Sequence, residues 1–298
     1  YLDEDEVHET FSPHTLPYCP EVKKIAKSGN FDLIITSEVF SLNSLKLALC
    51  TPKNLIVWQE LGKHNRIFHG LASKFWYGIV AKIGFKKALI VARSVQAREF
   101  ISKYCKNVSD TIIDHGVNIE KFTPCREKDN QFAISSQLIS RKHIEKSIEA
   151  FAKYLNKYDD SAKLYIMGEG EEEENLKALS KKLGADKNII FTGKLGHNKL
   201  IEILKKSIAM LVYTEKDNNM VSVVESIALA TPVITTDIPY NASYIKAEKL
   251  GIVNNNWNEN DLRKLAASDE YINNCINYRK YLPTEYKAEQ FLKVKGLI

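Results

Sequence analysis

No apolar run in the sequence approaches the ~20 residues that span a bilayer. No hydrophobic leader opens it, so a cytoplasmic chain is expected. The first residue is Tyr1 rather than Met, which reads as a missing N-terminal piece. Cysteine is scarce and unpaired: Cys19, Cys50, Cys105, Cys125 and Cys275 include no Cys-x-x-Cys. That excludes a disulfide framework and a Cys-ligated zinc site, leaving reduced thiols. There is no solenoid-length repeat and no complete Gly-x-Gly-x-x-Gly. Acidic residues are sparse in one region. Residues 61–110 carry ten Lys/Arg against Glu99 and Asp110, a balance of 10 − 2 = +8 in a chain whose net charge is +5. The first ten residues carry five acids and no Lys or Arg. A basic first half suits an anionic partner.

What is present is ordinary globular material: 298 residues, 44% hydrophobic and 27% charged, enough for two domains. Short β-branched runs alternate with helical patterns. FDLIITS (31–37), NLIVWQE (54–60), KALIVARS (87–94) and DTIIDHGV (110–117) form a first set. FAISSQL (132–138), AKLYIMG (162–168), NIIFTG (188–193), AMLVYT (209–214), PVITTD (232–237) and GIVNN (251–255) form a second. Apolar strands alternating with amphipathic helices imply parallel sheets covered on both faces. The four-and-six division predicts an α/β chain of two Rossmann-like, doubly wound domains, residues 1–124 and 125–298, with TPCREKDNQ (123–131) as linker. Ligands of such sheets sit beyond the carboxyl ends of the strands, here in a cleft where the two sheets face each other.

Two segments compete as the phosphate site. In MGEGEEEENL (167–176), Gly168 and Gly170 follow a strand as in a dinucleotide loop, but Glu173 stands where the third glycine belongs. The acids Glu171–Glu174 suit a helix N-terminus and would repel a pyrophosphate, so a tight turn is the better reading. In DNNMVSVVESIALATPV (217–233), a polar turn follows a strand and Asn219 reads as the N-cap of a helix. Its first amides, those of Met220, Val221 and Ser222, would point at a phosphate. Glu225, one turn on, can accept both hydroxyls of a ribose, and Asp217 can accept hydroxyls of a sugar beyond the phosphates. The competing reading is a buried Glu held by local backbone or by a Lys.

The second segment resembles the donor signature of retaining GT-B glycosyltransferases, glycosyltransferase family 4: an acid, seven residues, Glu225, then small residues and a Pro-Val strand. DHGVNIEKFTP (114–124) resembles the interdomain segment of that family. SSQLISRKHIEKSIEAF (135–151) resembles the strand and loop whose Lys reaches the donor phosphates, which places that role on Lys142. Ser136-Gln137 stands where the family has Gly-Arg, and Arg141 is placed to supply the missing charge. GEGEEEENLKALSKKLGADKNIIFTGKL (168–195) resembles the approach to the nucleobase pocket, lined by Gly193, Lys194 and Leu195. The resemblance covers residues 110–255. It implies a nucleotide diphosphate sugar as donor (UDP-sugar favoured, GDP-sugar the alternative), no required cofactor or metal, and a glycan, lipid-linked or cell-envelope acceptor. The enzyme would be of hexosyltransferase type.

In the first domain, Gln59, with Glu60 next to it, aligns with a family His near the reacting sugar, where its amide would hydrogen-bond the sugar or leaving group, and His115 with Gly116 sits at a strand end facing the expected cleft. His64 and His69 read as structural or solvated. The segment NRIFHGLASKFWYGIVAKIGFKK (65–87) mixes Lys/Arg with Phe75, Trp76, Tyr77 and Phe85. It reads either as a helix packed on its own sheet or as a peripheral contact with an anionic membrane at the inner face of the cell. No nucleic acid is expected. The rival readings are a sugar-nucleotide epimerase of the same fold and a catalytically inactive partner subunit.

Overall fold

The computed structural model describes residues 8–9, 17–62, 70–217 and 219–298. His64 and His69 lie outside the described residues, as does the first part of the 65–87 segment. Two strands, β1 (His8–Glu9) and β2 (Pro17–Tyr18), pair antiparallel. The rest divides into two compact units, Tyr1–Asp114 with Ala288–Ile298, and His115–Lys287.

Unit 1 holds a parallel sheet of β3 (Ile34–Ser37), β4 (Leu55–Gln59), β5 (Leu89–Ala92) and β6 (Val108–Ile112), in that spatial order. Leu55, Ile56, Val57, Ile90 and Val91 are fully buried, which is why these strands read as unbroken apolar runs. Phe291, from the C-terminal helix Thr284–Lys295, packs edge-on against Trp58 with ring centroids 5.4 Å apart.

The chain over 71–84 is a helix with an unusual centre: α over Leu71–Phe75, π over Trp76–Ala81, α again over Lys82–Gly84. Two four-residue stripes run along it. Ser73, Tyr77, Ala81 and Phe85 are buried, whereas Leu71, Phe75, Ile79 and Ile83 stand out in solvent, 49–84% exposed. An α-helix drifts by roughly 40° over four residues, which would twist both stripes away. The wider π turns take up that drift and keep one stripe inward and one outward.

Unit 2 holds a six-stranded parallel sheet: β7 (Gln131–Ser135), β8 (Lys163–Met167), β9 (Ile189–Gly193), β10 (Ala209–Leu211), β11 (Val233–Thr235) and β12 (Gly251–Val253). The spatial order is β12-β11-β10-β7-β8-β9. The chain winds outward from β7 to β9, then returns to the other side of β7. The reversal falls between β7 and β10, the place where open α/β sheets bind their ligands.

The four-plus-six division matches the sequence reading. The boundary differs from the expected one at 124. Val117 donates its N–H to Leu282 O (2.9 Å), and Phe122 is buried in the unit 2 core, so 115–124 belongs with unit 2. The segment read as a linker is pinned to the same unit: Cys125 N–H reaches Leu229 O (3.1 Å) and Asp129 N–H reaches Lys206 O (2.8 Å). Among the described residues, no helix is long and apolar enough to cross a membrane.

Candidate active site

The carboxyl ends of β7 and β10 bring three charges together. After β7 the chain makes a 3-10 turn over Ser140–Lys142, closed by His143 in the left-handed region (φ 41°, ψ 45°). A non-glycine residue held there is strained, and the surroundings must hold it. Here Glu145 Oε1 lies 2.7 Å from its Nδ1 and Glu215 Oε1 lies 2.8 Å from its Nε2. Burial alone would lower the pKa of His143, but these two carboxylates outweigh it and raise it. The turn therefore presents Arg141 and Lys142 side by side.

Both reach Asp217, which follows β10. Lys142 Nζ is 2.7 Å from Asp217 Oδ2 and Arg141 Nη1 is 3.2 Å from Oδ1. Thr214, buried at the same strand end, donates its hydroxyl to Oδ2 at 2.5 Å. Arg141 also donates to Lys216 O at 2.7 Å. Lys142 and Asp217 are mostly buried, Arg141 less so. Two cations against one anion leave the cluster with a surplus positive charge at the switch point of the sheet.

The helix Val221–Ala228 follows directly. Its N-cap is Met220, not Asn219 as the sequence suggested. The amide of Met220 is also committed, donating to Asn241 Oδ1 at 2.7 Å. That bond fixes the rest of a buried chain: with Oδ1 turned to Met220, Asn241 offers Nδ2 to Asn219 Oδ1 (2.7 Å) and to the Tyr244 hydroxyl (2.6 Å). So Asn219 braces the turn from within. Among the described residues, no acceptor takes the N–H of Val221 or Ser222. Among the described residues, no backbone N–H and no Lys holds the Glu225 carboxylate. His197 Nε2, at the start of the helix His197–Lys206, lies 3.0 Å from Glu225 Oε1.

The other residues expected to meet the donor stand at the ends of β7 and β9. Gly193 ends β9 with φ of +65°, exposed Lys194 and half-buried Leu195 follow, and His197 comes two residues later. Gln137 is exposed on the loop after β7. The Gly168–Gly170 turn is a packing feature. A Cβ on Gly168 (φ +147°) would lie 1.8 Å from Ser136 O, and one on Gly170 would lie 2.3 Å from Leu138 O. These glycines let the β8 turn press against the backbone of the β7 loop.

In unit 1 the strand ends use their polar groups on themselves. Gln59 is fully buried; its Oε1 accepts from Val39 N–H (2.9 Å) and its Nε2 donates to Leu61 O (3.1 Å). Both ends of this amide, expected to face the sugar, are bonded to the chain itself. Glu60 Oε2 binds Arg93 Nη1 at 2.6 Å, and the Arg93 guanidinium lies 3.7 Å above the Trp58 ring. Glu38, with φ of 68°, accepts the N–H of Glu60 (2.7 Å) and of Leu61 (3.3 Å). Burial pushes its carboxyl up from 4.5 to about 7, against the pull of those amides and of Arg93. In unit 2, His115 and Gly116 are half-buried, and a Cβ on Gly116 would lie 2.8 Å from Thr284 Cα, so packing accounts for that glycine.

Sequence reasoning missed His197, Thr214, Glu38 and Arg93. No motif marks any of them; His197, Glu38 and Arg93 gain their places from partners on other elements, and Thr214 from Asp217 in its own loop.

Comparison with known proteins bears on the family and the fold. The chain is 24% identical over 302 residues to the alpha-monoglucosyldiacylglycerol synthase of Streptococcus pneumoniae, a match covering 91% of this chain and 66% of that protein. TarM of S. aureus, crystallised as a mutant in complex with Fondaparinux, alpha-GlcNAc-glycerol and UDP, superposes with a TM-score of 0.65 at 18% identity, covering 92% of this chain and 58% of that one. HepE of Anabaena in complex with UDP superposes with a TM-score of 0.70 at 12% identity, covering 94% and 83%. The chain thus spans about two thirds or less of the first two proteins. At such identities the structural likeness speaks for the fold, two Rossmann-like parallel-sheet domains of the GT-B class. The family described as glycosyl transferases group 1 matches residues 118–280, more than half of the chain and nearly all of unit 2. The chain belongs to the glycosyl transferases group 1 family.

Proposed function

We propose that the protein transfers a sugar from a nucleotide diphosphate donor, a UDP-sugar in preference to a GDP-sugar, to a hydroxyl of a glycan, lipid-linked or cell-envelope acceptor, retaining the anomeric configuration. The observation that carries this reading is the convergence of Arg141 and Lys142 with Asp217 at the switch point between β7 and β10, beside the helix that bears Glu225. The UDP bound to TarM and HepE supports the choice of base.

In this reading the diphosphate lies against Lys142, Arg141 and the N–H groups of Val221 and Ser222. Charge grows on the diphosphate as the sugar–oxygen bond breaks. Fixed cations and amides aimed there stabilise the transition state more than the ground state. Glu225 accepts the ribose hydroxyls and Asp217 accepts a hydroxyl of the sugar. The lysine, held by Asp217, whose carboxylate Thr214 steadies in turn, needs no reorganisation at the moment of reaction. The acceptor hydroxyl attacks from the face the diphosphate leaves and passes its proton to a donor phosphate oxygen. The deciding experiment is calorimetric titration of UDP. Glu225→Ala should lose measurable binding while its thermal melt stays cooperative; wild-type affinity in this variant would sink the donor-site assignment.

A lipid-linked acceptor draws support from the outward stripe of unit 1. Leu71, Phe75, Ile79 and Ile83 form one exposed apolar line beside Lys74, Lys82, Lys86 and Lys87, and no acid occurs between Glu60 and Glu99. Such a face suits the anionic inner surface of a membrane, where each Lys contributes about 1 kcal/mol. Changing Phe75, Ile79 and Ile83 together to Ser should lower co-sedimentation with phosphatidylglycerol vesicles at least tenfold, leaving UDP binding unchanged. Equal sedimentation with neutral phosphatidylcholine vesicles would count against the charge component.

A further inference from the structure

We infer that His197 is a positioning residue for the donor, acting through Glu225. The inference rests on the donor-site reading and adds what that reading lacks, a reason for the ribose carboxylate to face its ligand in one orientation. Glu225 is the fifth residue of a short helix, and its side chain is 15% exposed. A mostly buried carboxylate needs a donor. Among the described residues, the side chain that reaches it is His197, whose Nε2 lies 3.0 Å from Oε1. A carboxylate only accepts, so Nε2 is the protonated nitrogen. The imidazole is itself steadied: the Phe122 ring meets it edge to face at 5.9 Å between centroids, 80° apart. His197 opens the helix that follows the Gly193–Gly196 turn, so the contact ties the loop assigned to the base to the helix assigned to the ribose.

The two oxygens of Glu225 offer about four lone-pair directions. His197 takes one of them at Oε1 and so sets the carboxylate plane. The others remain for the vicinal 2′ and 3′ hydroxyls of a ribose, and the imidazole need not leave when the nucleotide arrives. A ligand that lacks one hydroxyl leaves an acceptor direction unfilled, so the orientation set by His197 becomes discrimination between ribose and deoxyribose.

The test is titration of UDP and 2′-deoxy-UDP into wild type, His197→Ala, His197→Gln and Glu225→Ala, with thermal melts alongside. The His197–Glu225 contact is half-exposed, so His197→Ala should weaken UDP by about threefold to fivefold. It should also narrow the preference for UDP over the deoxy analogue, with its melt unchanged. His197→Gln, which keeps an N–H donor, should restore most of both. Wild-type affinity and an unchanged preference in His197→Ala would overturn the inference, as would failure of Gln to restore them. The donor reading stands apart from this result. If Glu225→Ala binds UDP as the wild type does, or the wild type binds none, the donor reading falls. If Glu225→Ala loses UDP while His197→Ala changes nothing, only the role of His197 falls.

Discussion

The two units place ionisable residues at the carboxyl ends of their parallel strands, and use them in opposite ways. In unit 2 the sheet reverses between β7 and β10, which opens a crevice. The loops after those strands project Arg141, Lys142 and Asp217 into it, and the N–H groups of Val221 and Ser222 lie just beyond. The described sheet of unit 1 runs β3-β4-β5-β6 with no reversal. There Glu38, Gln59 and Arg93 satisfy neighbouring backbone and side chains: Glu38 holds two amides, Gln59 holds an amide and a carbonyl, and Arg93 holds Glu60 and covers Trp58. Similar residue types at similar strand ends thus form the candidate site in one unit and a scaffold in the other. What separates them is topology: in unit 2 the reversal sets beside each other the loops after two strands from which the chain winds in opposite directions, so their charges meet at the switch point.

The largest effect should come from the unit 2 cluster. Lys142→Ala should lower sugar-transfer turnover by on the order of 10²–10³-fold, the range seen when one fixed donor to developing charge is removed. The fold should respond much less, because Asp217 keeps Arg141 and the Thr214 hydroxyl, so its mostly buried carboxylate is not left without a partner. Initial rates with the matching sugar donor, set beside a thermal melt, separate the two effects. Normal turnover would remove Lys142 from the site. A large loss of stability with turnover intact would make unit 2 resemble unit 1 and erase the contrast.

Much of this architecture is legible in the sequence, and the physical reason is burial. Parallel strands covered on both faces appear as runs such as NLIVWQE and AKLYIMG, so the four-plus-six division needs no structure. The acid–Glu225 spacing is local, within one turn and one helix, and its resemblance to a known signature is readable for the same reason. The pairings are not local. Lys142 and Asp217 lie 75 positions apart, and His197 and Glu225 lie 28 apart; each pair meets only because the strand order brings their loops together. Gln59 reads as a polar strand end open to a ligand, and only the fold reveals that Val39 and Leu61 already occupy it. The N-cap misreading at Asn219 has a similar cause. Its side chain is drawn inward by Asn241, a partner from the next helix.

The smaller effect, and the one that tests the scaffold half of the comparison, belongs to Glu38. Its carboxyl is raised from 4.5 to about 7, mainly by burial. Folded unit 1 therefore binds this proton more tightly than the unfolded chain does. The stabilising contribution is fully present below about pH 4.5 and is lost as the pH rises through about 7. At about 1.4 kcal/mol per pKa unit, the swing is on the order of 3 kcal/mol across that window. Glu38→Gln keeps an acceptor for one of the two amides and cannot ionise, so it should flatten the fall in stability between pH 5 and 7.5 measured by thermal melts. UDP affinity should not change in the same variant, since that charge serves the backbone of unit 1 alone. If the slope persists in Glu38→Gln, the titrating group is elsewhere. If UDP affinity falls with it, the division between a scaffold unit and a ligand unit is wrong, and the charges at the ends of β3 and β4 belong to the chemistry after all.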